Sequence, residues 1–452
     1  MPALTRGLGP ALSLSILGFP VRVRAEFFLI VALLGSGGAS TAADIVAWVG
    51  VAFVSILFHE FGHALVGRAF GCDSTIELYG MGGVTYLTPR DRSAPPVSWF
   101  GDLAISLAGP VFGMALGAGV FFAARYVPSL TATEAGQNLV KDLLWVNVGW
   151  SIMNLVPILP YDGGLAARAV LLRLFPVRGS RISHWITVVL GGAAIGGAIY
   201  WRSLWLGYLA ARGVIASWSA LRFERALDKA WQAWDARDFA GARAAAEHAA
   251  SLSNPSVPPT RAVELRIVSN LALRDAAGAK VAFVAYPPGA SPSALLRAVV
   301  ALDSEDHAEA ATLLRSIPEA LLARVLLPLV VAWGNSTWED RAVQWLDPST
   351  VGALSPNLSR ALGARLYEAG AFKLSRHVLE IRFGLTHAAE DAYNVACCLS
   401  RLEQRDTAFE WLEKALDAGW TDMAAMEGDA DLQAVRSLDG FARLRSRMPS
   451  AG

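Results

Sequence analysis

A series of apolar runs in the first half of the chain constrains its fold more than any other feature. Each run is close to the ~20 residues that an α-helix needs to cross a lipid bilayer. Inside lipid a single segment must satisfy its own backbone hydrogen bonds, so the runs are expected to be helical. The sequence therefore predicts a polytopic bundle of about six membrane-spanning helices, near residues 25–42, 44–67, 100–124, 143–160, 183–201 and 203–221.

Charge is distributed unevenly between the two halves of the 452-residue chain. Only 17% of all residues are charged, whereas soluble chains usually have about a quarter. Residues 1–221 carry 14 Lys/Arg and 10 Asp/Glu, and residues 222–452 carry 25 and 29. The first half is thus expected in membrane and the second in water. We predict an N-terminal segment at 1–24, a membrane domain at 25–221 and a soluble domain at 222–452.

The loop charges predict the orientation of the bundle. Successive loops lie alternately on the two sides of the membrane. The loops on the side opposite the N-terminus hold only Arg125, Lys141 and Arg202. Positive loops stay in the cytoplasm, so both termini and the soluble domain are expected there, in a multi-pass protein of a bacterial cell membrane. The loops on the side of the N-terminus hold far more arginines, namely Arg6, Arg22, Arg24, Arg68, Arg90, Arg92, Arg168, Arg173, Arg178, Arg181 and Arg222.

The loop at residues 71–98 is expected to contain a small β-hairpin. Residues 74–79 and 84–87 are β-prone, and glycines surround Met81 between them. Glycine-rich turns between two such segments are typical of hairpins.

The soluble half has the pattern of an α-solenoid of helix pairs. Amphipathic helices joined by short turns recur with a period of roughly 30–35 residues, as in helical repeat proteins. The unit at 392–416 resembles a tetratricopeptide repeat. A concave face of such repeats would bind a cytoplasmic protein or peptide; the alternative is a stabilising cap. The predicted pairs are 226–236 with 239–251, 292–303 with 306–316, 357–369 with 372–383, and 388–402 with 406–418.

One helical turn of the second apolar run carries three ionisable side chains, His59, Glu60 and His63. Each such group is expected to cost about 2.5–3.5 kcal/mol inside a membrane, so it needs a reason to be there. Two histidines four residues apart on a helix can bind one zinc ion, and the adjacent glutamate can deprotonate a water on that ion. The alternative is a pair of solvated histidines at a helix end.

A catalytic zinc usually has a third protein ligand, and Asp162 is the candidate. It follows Pro157 and Pro160 and precedes two glycines, residues that break a helix and permit a sharp turn. Unwound backbone within a membrane is tolerated where it lines a cavity. The alternative is an aspartate that merely caps the next helix.

These motifs, His-Glu-x-x-His in one membrane segment and Asn-x-x-Pro-x-x-x-x-Asp-Gly in another, resemble the site-2 protease family over about residues 20–221. The resemblance implies one Zn²⁺ per chain, held by His59, His63 and Asp162. It implies that Glu60 is the general base, and that Asn154 contacts the substrate backbone or the oxyanion. The substrates would be single-span membrane proteins, cut within the membrane.

Other substrate contacts are expected from Asn147 and from the hairpin glycines Gly80, Gly82 and Gly83. For Asn147, hydrogen bonding between helices is an open alternative. A strand edge of the hairpin could hold an extended substrate by β-addition.

Two other functional classes remain open from the sequence. One is a non-catalytic, membrane-anchored repeat scaffold, although such a protein would be free to lose the zinc ligands. The other is a metal-dependent transporter, although no inverted repeat is visible. Membrane lipid is an expected partner, and nucleic acid is not, because the soluble half has a net charge of −4.

Overall fold

The computed structural model describes residues 11–36, 41–80, 82–90, 97–254, 257–287 and 290–447. Arg6, Met81 and Arg92, which entered the predictions above, lie outside these residues. The chain divides near residue 222 into two compact units. Helices dominate both units, and the first also contains a small sheet, so the predicted fold class is confirmed.

The first unit contains four strands and the first helices of the chain. The strands are β1 (Ala11–Ile16), β2 (Phe19–Arg24), β3 (Cys72–Tyr79) and β4 (Gly82–Pro89). The helices are α1 (Ala25–Ser36), α2 (Ala42–Ala69), α3 (Trp99–Tyr126), α4 (Glu134–Leu144), α5 (Trp150–Asn154), α6 (Asp162–Leu174), α7 (Gly179–Tyr200) and α8 (Leu204–Asp235), which continues past residue 222. A 3₁₀ turn occupies Pro128–Thr131, and a π-helical turn occupies Trp145–Gly149.

Among the described residues, α2, α3 and α7 are long and apolar enough to cross a membrane, and α1 is a shorter apolar helix. The predicted run at 143–160 does not form one helix. It consists of the end of α4, the π-helical turn, α5 and a non-helical stretch over 155–161. Pro157 and Pro160 lack the backbone N–H that a continuing helix requires, which explains the break.

The predicted hairpin is present as β3 and β4, but it belongs to a larger sheet. The strand order is β1-β2-β3-β4, with β2 parallel to β3 and the other neighbours antiparallel. We did not predict β1 and β2, which lie in the segment assigned to 1–24. Partly buried Arg24 of β2 forms an ion pair with buried Glu77 of β3. The sheet thus links residues separated by about fifty positions in sequence.

The inner face of the sheet packs on α2. Phe19 is 1% exposed and makes an edge-to-face contact with Phe61, with 5.8 Å between the ring centroids. The Arg68 guanidinium lies 3.7 Å from the centroid of the Phe19 ring and donates a hydrogen bond to the Gly18 carbonyl. The N-terminal end of β2 and the residue before it therefore contact α2 between its two histidines and again beyond the second one.

The second unit is built from short helices. Most of them form consecutive pairs in which the two helices have similar lengths, and these pairs lie at or close to the predicted positions. They are α9 (Phe239–Ser251), α10 (Thr260–Ala272), α11 (Ala276–Val284), α12 (Ala294–Asp303), α13 (His307–Ser316), α14 (Glu319–Trp333), α15 (Glu339–Trp345), α16 (Pro348–Val351), α17 (Pro356–Glu368), α18 (Phe372–Thr386), α19 (Ala389–Arg401), α20 (Arg405–Asp417), α21 (Met423–Gly428), α22 (Gln433–Arg436) and α23 (Phe441–Arg447).

The turns within the pairs share one backbone device. A residue with positive φ stands one or two positions before the second helix, as at Arg237, Arg274 and Glu305. In each of these three turns the next residue is an aspartate whose carboxylate caps the second helix. Side-chain caps of this kind satisfy the free N–H groups at a helix start. The repeated turn supports the predicted helix pairs, while their relation to tetratricopeptide repeats stays a prediction.

The packing of Phe19 gives a test of the sheet's role. Phe19→Ala removes a buried ring and is expected to lower the free energy of unfolding by about 3–5 kcal/mol. Leu12→Ala in neighbouring β1 is the control, because Leu12 is 59% exposed and should change stability by no more than about 0.5 kcal/mol. Thermal unfolding of the detergent-solubilised protein measures both. Equal losses in the two variants would contradict this packing role.

Candidate metal centre

His59 and His63 lie one turn apart on α2, and both are buried. The carbonyl of Ile105, on α3, accepts a hydrogen bond from Nδ1 of His63 at 2.7 Å. With its proton on Nδ1, His63 presents Nε2 as a bare lone pair. A second hydrogen bond that fixes the tautomer in this way is usual for metal-binding histidines.

Asp162 brings a carboxylate to the two imidazoles from the first turn of α6. Its Oδ2 lies 3.0 Å from Nε2 of His59, and its Oδ1 lies 3.4 Å from Nε2 of His63. The non-helical stretch over 155–161 precedes α6 and redirects the chain, so that the first turn of α6 lies next to the two histidines. The structure thus brings together the three predicted ligands, which are 103 residues apart at the widest.

The donor set fits zinc. Two nitrogen ligands about 2.0–2.1 Å from a tetrahedral zinc ion lie about 3.3–3.4 Å apart. The Nε2 atoms of His59 and His63 are 3.3 Å apart. Ligand atoms of all three residues lie within 4.8 Å of one another. Two neutral imidazoles and one carboxylate form a common donor set of catalytic zinc, with one position left open.

Helix α3 can approach this cluster only because Gly109 has no side chain. A Cβ at Gly109 would lie 2.2 Å from Nε2 of His63 and 2.5 Å from Nε2 of His59. Gly62 on α2 makes the reciprocal approach, since a Cβ there would lie 2.7 Å from the Ala108 carbonyl oxygen. The two glycines together allow the helix backbones to pass at close range.

Glu60 lies between the histidines and strand β4. Its Oε2 accepts a hydrogen bond from Oγ1 of Thr85 at 2.6 Å. A Cβ at Gly83 would lie 2.5 Å from both Cγ and Oε1 of Glu60, so this glycine leaves room for the carboxylate. The sequence indicated a strand here but gave no signal that Thr85 would orient the glutamate.

A cavity of about 580 Å³ opens on the cluster. Predicted residues that line it are the three ligands, Glu60, Asn154 and Gly83. Its remaining lining includes Tyr79, Asp102, Trp150, Tyr161, Arg168 and Arg212. Asn154, at the last position of α5, is therefore placed where it can reach a bound chain.

Three predicted substrate contacts lie elsewhere. Asn147 is 1% exposed, and its side-chain amide donates to Ser55 Oγ and the Leu143 carbonyl, at 2.8 Å each. This is the structural alternative considered above, hydrogen bonding between helices. Gly80 packs toward Ile30 of α1, and Gly82 adopts a positive φ of 121° beside Trp150. Neither glycine lines the cavity, whereas their neighbours Tyr79 and Gly83 do.

Comparison with known proteins places the chain near several metalloproteases. It is 26% identical over 214 residues to sll0528 of Synechocystis, covering 42% of this chain and 54% of that protein. It is 26% identical over 164 residues to MJ0392 of Methanocaldococcus jannaschii, covering 35% and 45%. It is 29% identical over 197 residues to Rip3 of Mycobacterium tuberculosis, covering 39% and 44%.

All three relatives have the words zinc metalloprotease in their names, so the resemblance drawn from the motifs is confirmed. The chain spans about half the length of these relatives. A solved structure, a site-2 protease from Methanocaldococcus jannaschii, aligns with a TM-score of 0.36 and 23% identity, covering 46% of this chain and 94% of that one. No protein-family model matches the chain.

The close approach of Gly109 predicts that zinc can be lost without changing any ligand. In Gly109→Ala the new methyl group would displace both ligand nitrogens, and zinc affinity should fall by at least about tenfold. Gly119→Ala on the same helix is the control, because nothing lies within 4 Å of that Cβ position. Zinc per purified chain, measured by elemental analysis during titration with a chelator, reports the difference. Full zinc retention in Gly109→Ala would contradict this geometry.

Proposed function

We propose that this protein is an intramembrane zinc metalloendopeptidase that cleaves membrane-spanning segments of single-span membrane proteins. The observation that carries the proposal is a carboxylate, Glu60, held by Thr85 beside a His59–His63–Asp162 cluster in one cavity. The apolar helices around the cluster support a position within the bilayer. The zinc metalloprotease relatives support the same reaction class.

Zinc bound there would supply a Lewis acid that polarises the scissile carbonyl and makes water easier to deprotonate. Glu60 would take the proton of the attacking water and return it to the leaving amine. The hydrogen bond from Thr85 restricts the carboxylate to one orientation. Asn154, on the cavity wall, would donate from its side-chain amide to the developing oxyanion or to the substrate backbone.

The substrate must be extended before its peptide bond can be attacked, and β4 could hold it so. This strand is at one end of the sheet order and pairs only with β3 among the described residues. Four of its residues, Gly83, Val84, Thr85 and Leu87, line the cavity. An open strand edge can accept a peptide as an added strand. We propose β-addition on β4 as the substrate-binding mode.

The wider assignments follow from the same proposal. Residues 25–221 would form the protease domain and residues 222–452 a helical repeat domain. Both termini would face the cytoplasm of a bacterium, where the repeats would recruit a substrate or a regulatory protein. The repeated turns and helix pairs support a repeat architecture, which commonly presents a peptide-binding surface.

The main experiment compares wild type with Glu60→Gln on a panel of single-span membrane proteins in detergent or liposomes. Wild type should cleave at least one of them, while Glu60→Gln should bind about one zinc per chain and lose cleavage by at least about a hundredfold. Glu134→Gln is the control, because Glu134 is exposed on α4. Zinc-loaded wild type that cleaves nothing would favour the scaffold alternative. Cleavage that persists in Glu60→Gln would refute the mechanism.

A proline scan tests the strand. Proline removes one backbone N–H. Variants with proline at the alternating positions of β4 that face its open edge should therefore lose cleavage but still bind zinc. Prolines at Ser13 and Ser15 of β1, the opposite edge of the sheet, are the control and should preserve cleavage. Cleavage that survives proline at both alternating sets of β4 positions would exclude β-addition there.

A further inference from the structure

The cavity contains a cation that the proposed chemistry does not use. Arg168 is on α6, two turns beyond Asp162, and lines the same cavity. Its Nε is buried, and the described residues supply no hydrogen bond or ion pair to it. An ionised guanidinium with even one buried donor left unpaired is costly in a low-dielectric setting unless its charge is paired. Its orientation toward the cavity suggests that its partner is a bound molecule.

The other charges of the cavity are accounted for. Arg212 interacts electrostatically with the phenol groups of Tyr79, Tyr161 and Tyr208. Asp102 is the carboxylate that interacts with Arg168 through space, without forming an ion pair within 4 Å. With a divalent metal bound, its two positive charges balance Glu60 and Asp162. Two arginines then face one aspartate, so the loaded cavity has one positive charge in excess.

We infer that Arg168 is a specificity-determining residue that binds an acidic side chain of the peptide substrate. The inference rests on the proposed protease function and adds a substrate class to it. Guanidinium and carboxylate pair through two parallel charge-assisted hydrogen bonds, which suits a donor group left free at a cavity wall. Asp or Glu in the substrate is the group on a peptide that offers such an acceptor.

The helix geometry sets the distance of that acidic residue from the cut. Arg168 follows Asp162 by six positions, which is about 9 Å along the helix axis at 1.5 Å per residue. An extended peptide covers about 3.3 Å per residue. The acidic residue should therefore be about three residues from the scissile bond.

The test uses a substrate that wild type cleaves, with the cut site mapped by mass spectrometry. Glu, Gln or Lys is placed singly at each position within about four residues on either side of the cut. For wild type, Lys in place of Glu at one of these positions should raise KM by about tenfold or more, with little change in kcat. Affinity measured in the Glu60→Gln background should show the same preference without turnover.

Variants of Arg168 then test whether this residue causes the preference for Glu over Lys in the substrate. Arg168→Glu should reverse it toward Lys, Arg168→Gln should abolish it, and Arg168→Lys should retain part of it. Arg173→Glu is the matched control, because Arg173 is exposed on the same helix and does not line the cavity. Zinc content and melting temperature verify that each variant is folded. If Arg168→Glu does not fold, the loss of preference in Arg168→Gln is a sufficient test.

Two results would overturn the inference. If wild type cleaves but Arg168→Glu and Arg168→Gln keep its Glu-to-Lys ratio at every position, Arg168 does not read the substrate. If Arg173→Glu shifts the ratio as much as Arg168→Glu, the effect is general electrostatics rather than this residue. Failure of zinc-loaded wild type to cleave any panel member is a different result, which refutes the proposed function itself.

Discussion

The close contact between α2 and α3 is the interaction on which the rest of the candidate centre depends. Gly62 and Gly109 have no side chains at the point where the helices meet. The helices can therefore approach closely enough for the Ile105 carbonyl to reach His63. That carbonyl fixes the imidazole, while the absence of a Cβ at Gly109 leaves room for the ligand nitrogens. In a bilayer, helix packing relies on such small residues, because lipid gives no hydrophobic drive between helices. Here the same contact serves packing and metal binding together.

Local patterns in the sequence were sufficient to predict the candidate metal ligands and most of the helices. His59 and His63 are one turn apart on a single helix, so their common orientation follows from helix periodicity alone. Asp162 was identifiable because prolines mark the break before it and two glycines follow it. The helix pairs of the second unit could be predicted for the same reason, since each turn is encoded by a few adjacent residues.

Long-range contacts could not be predicted in this way. Strand β2 pairs with β3 of a hairpin some fifty residues later, and nothing local in residues 11–24 specifies that partner. Thr85 meets Glu60 only because β4 crosses α2 in the folded unit. For Asn147 the sequence left two roles open, a substrate contact and hydrogen bonding between helices. In the structure Asn147 lies within the π-helical turn at 145–149 and donates to Ser55, whereas Asn154 lines the cavity.

The sheet and the centre are coupled through Glu60. Thr85 orients this carboxylate from the strand whose edge is open, and Gly83 leaves the space that the carboxylate occupies. In the same sheet, β2 contacts α2 through Phe19 and is linked to β3 by the Arg24–Glu77 ion pair. A peptide added to β4 would therefore lie against a strand that is already in contact with Glu60, the proposed general base. This arrangement favours reaction only when an extended chain occupies the edge, because a helical segment cannot pair with a strand. Unwinding of the substrate would then be a condition of cleavage rather than a consequence of it.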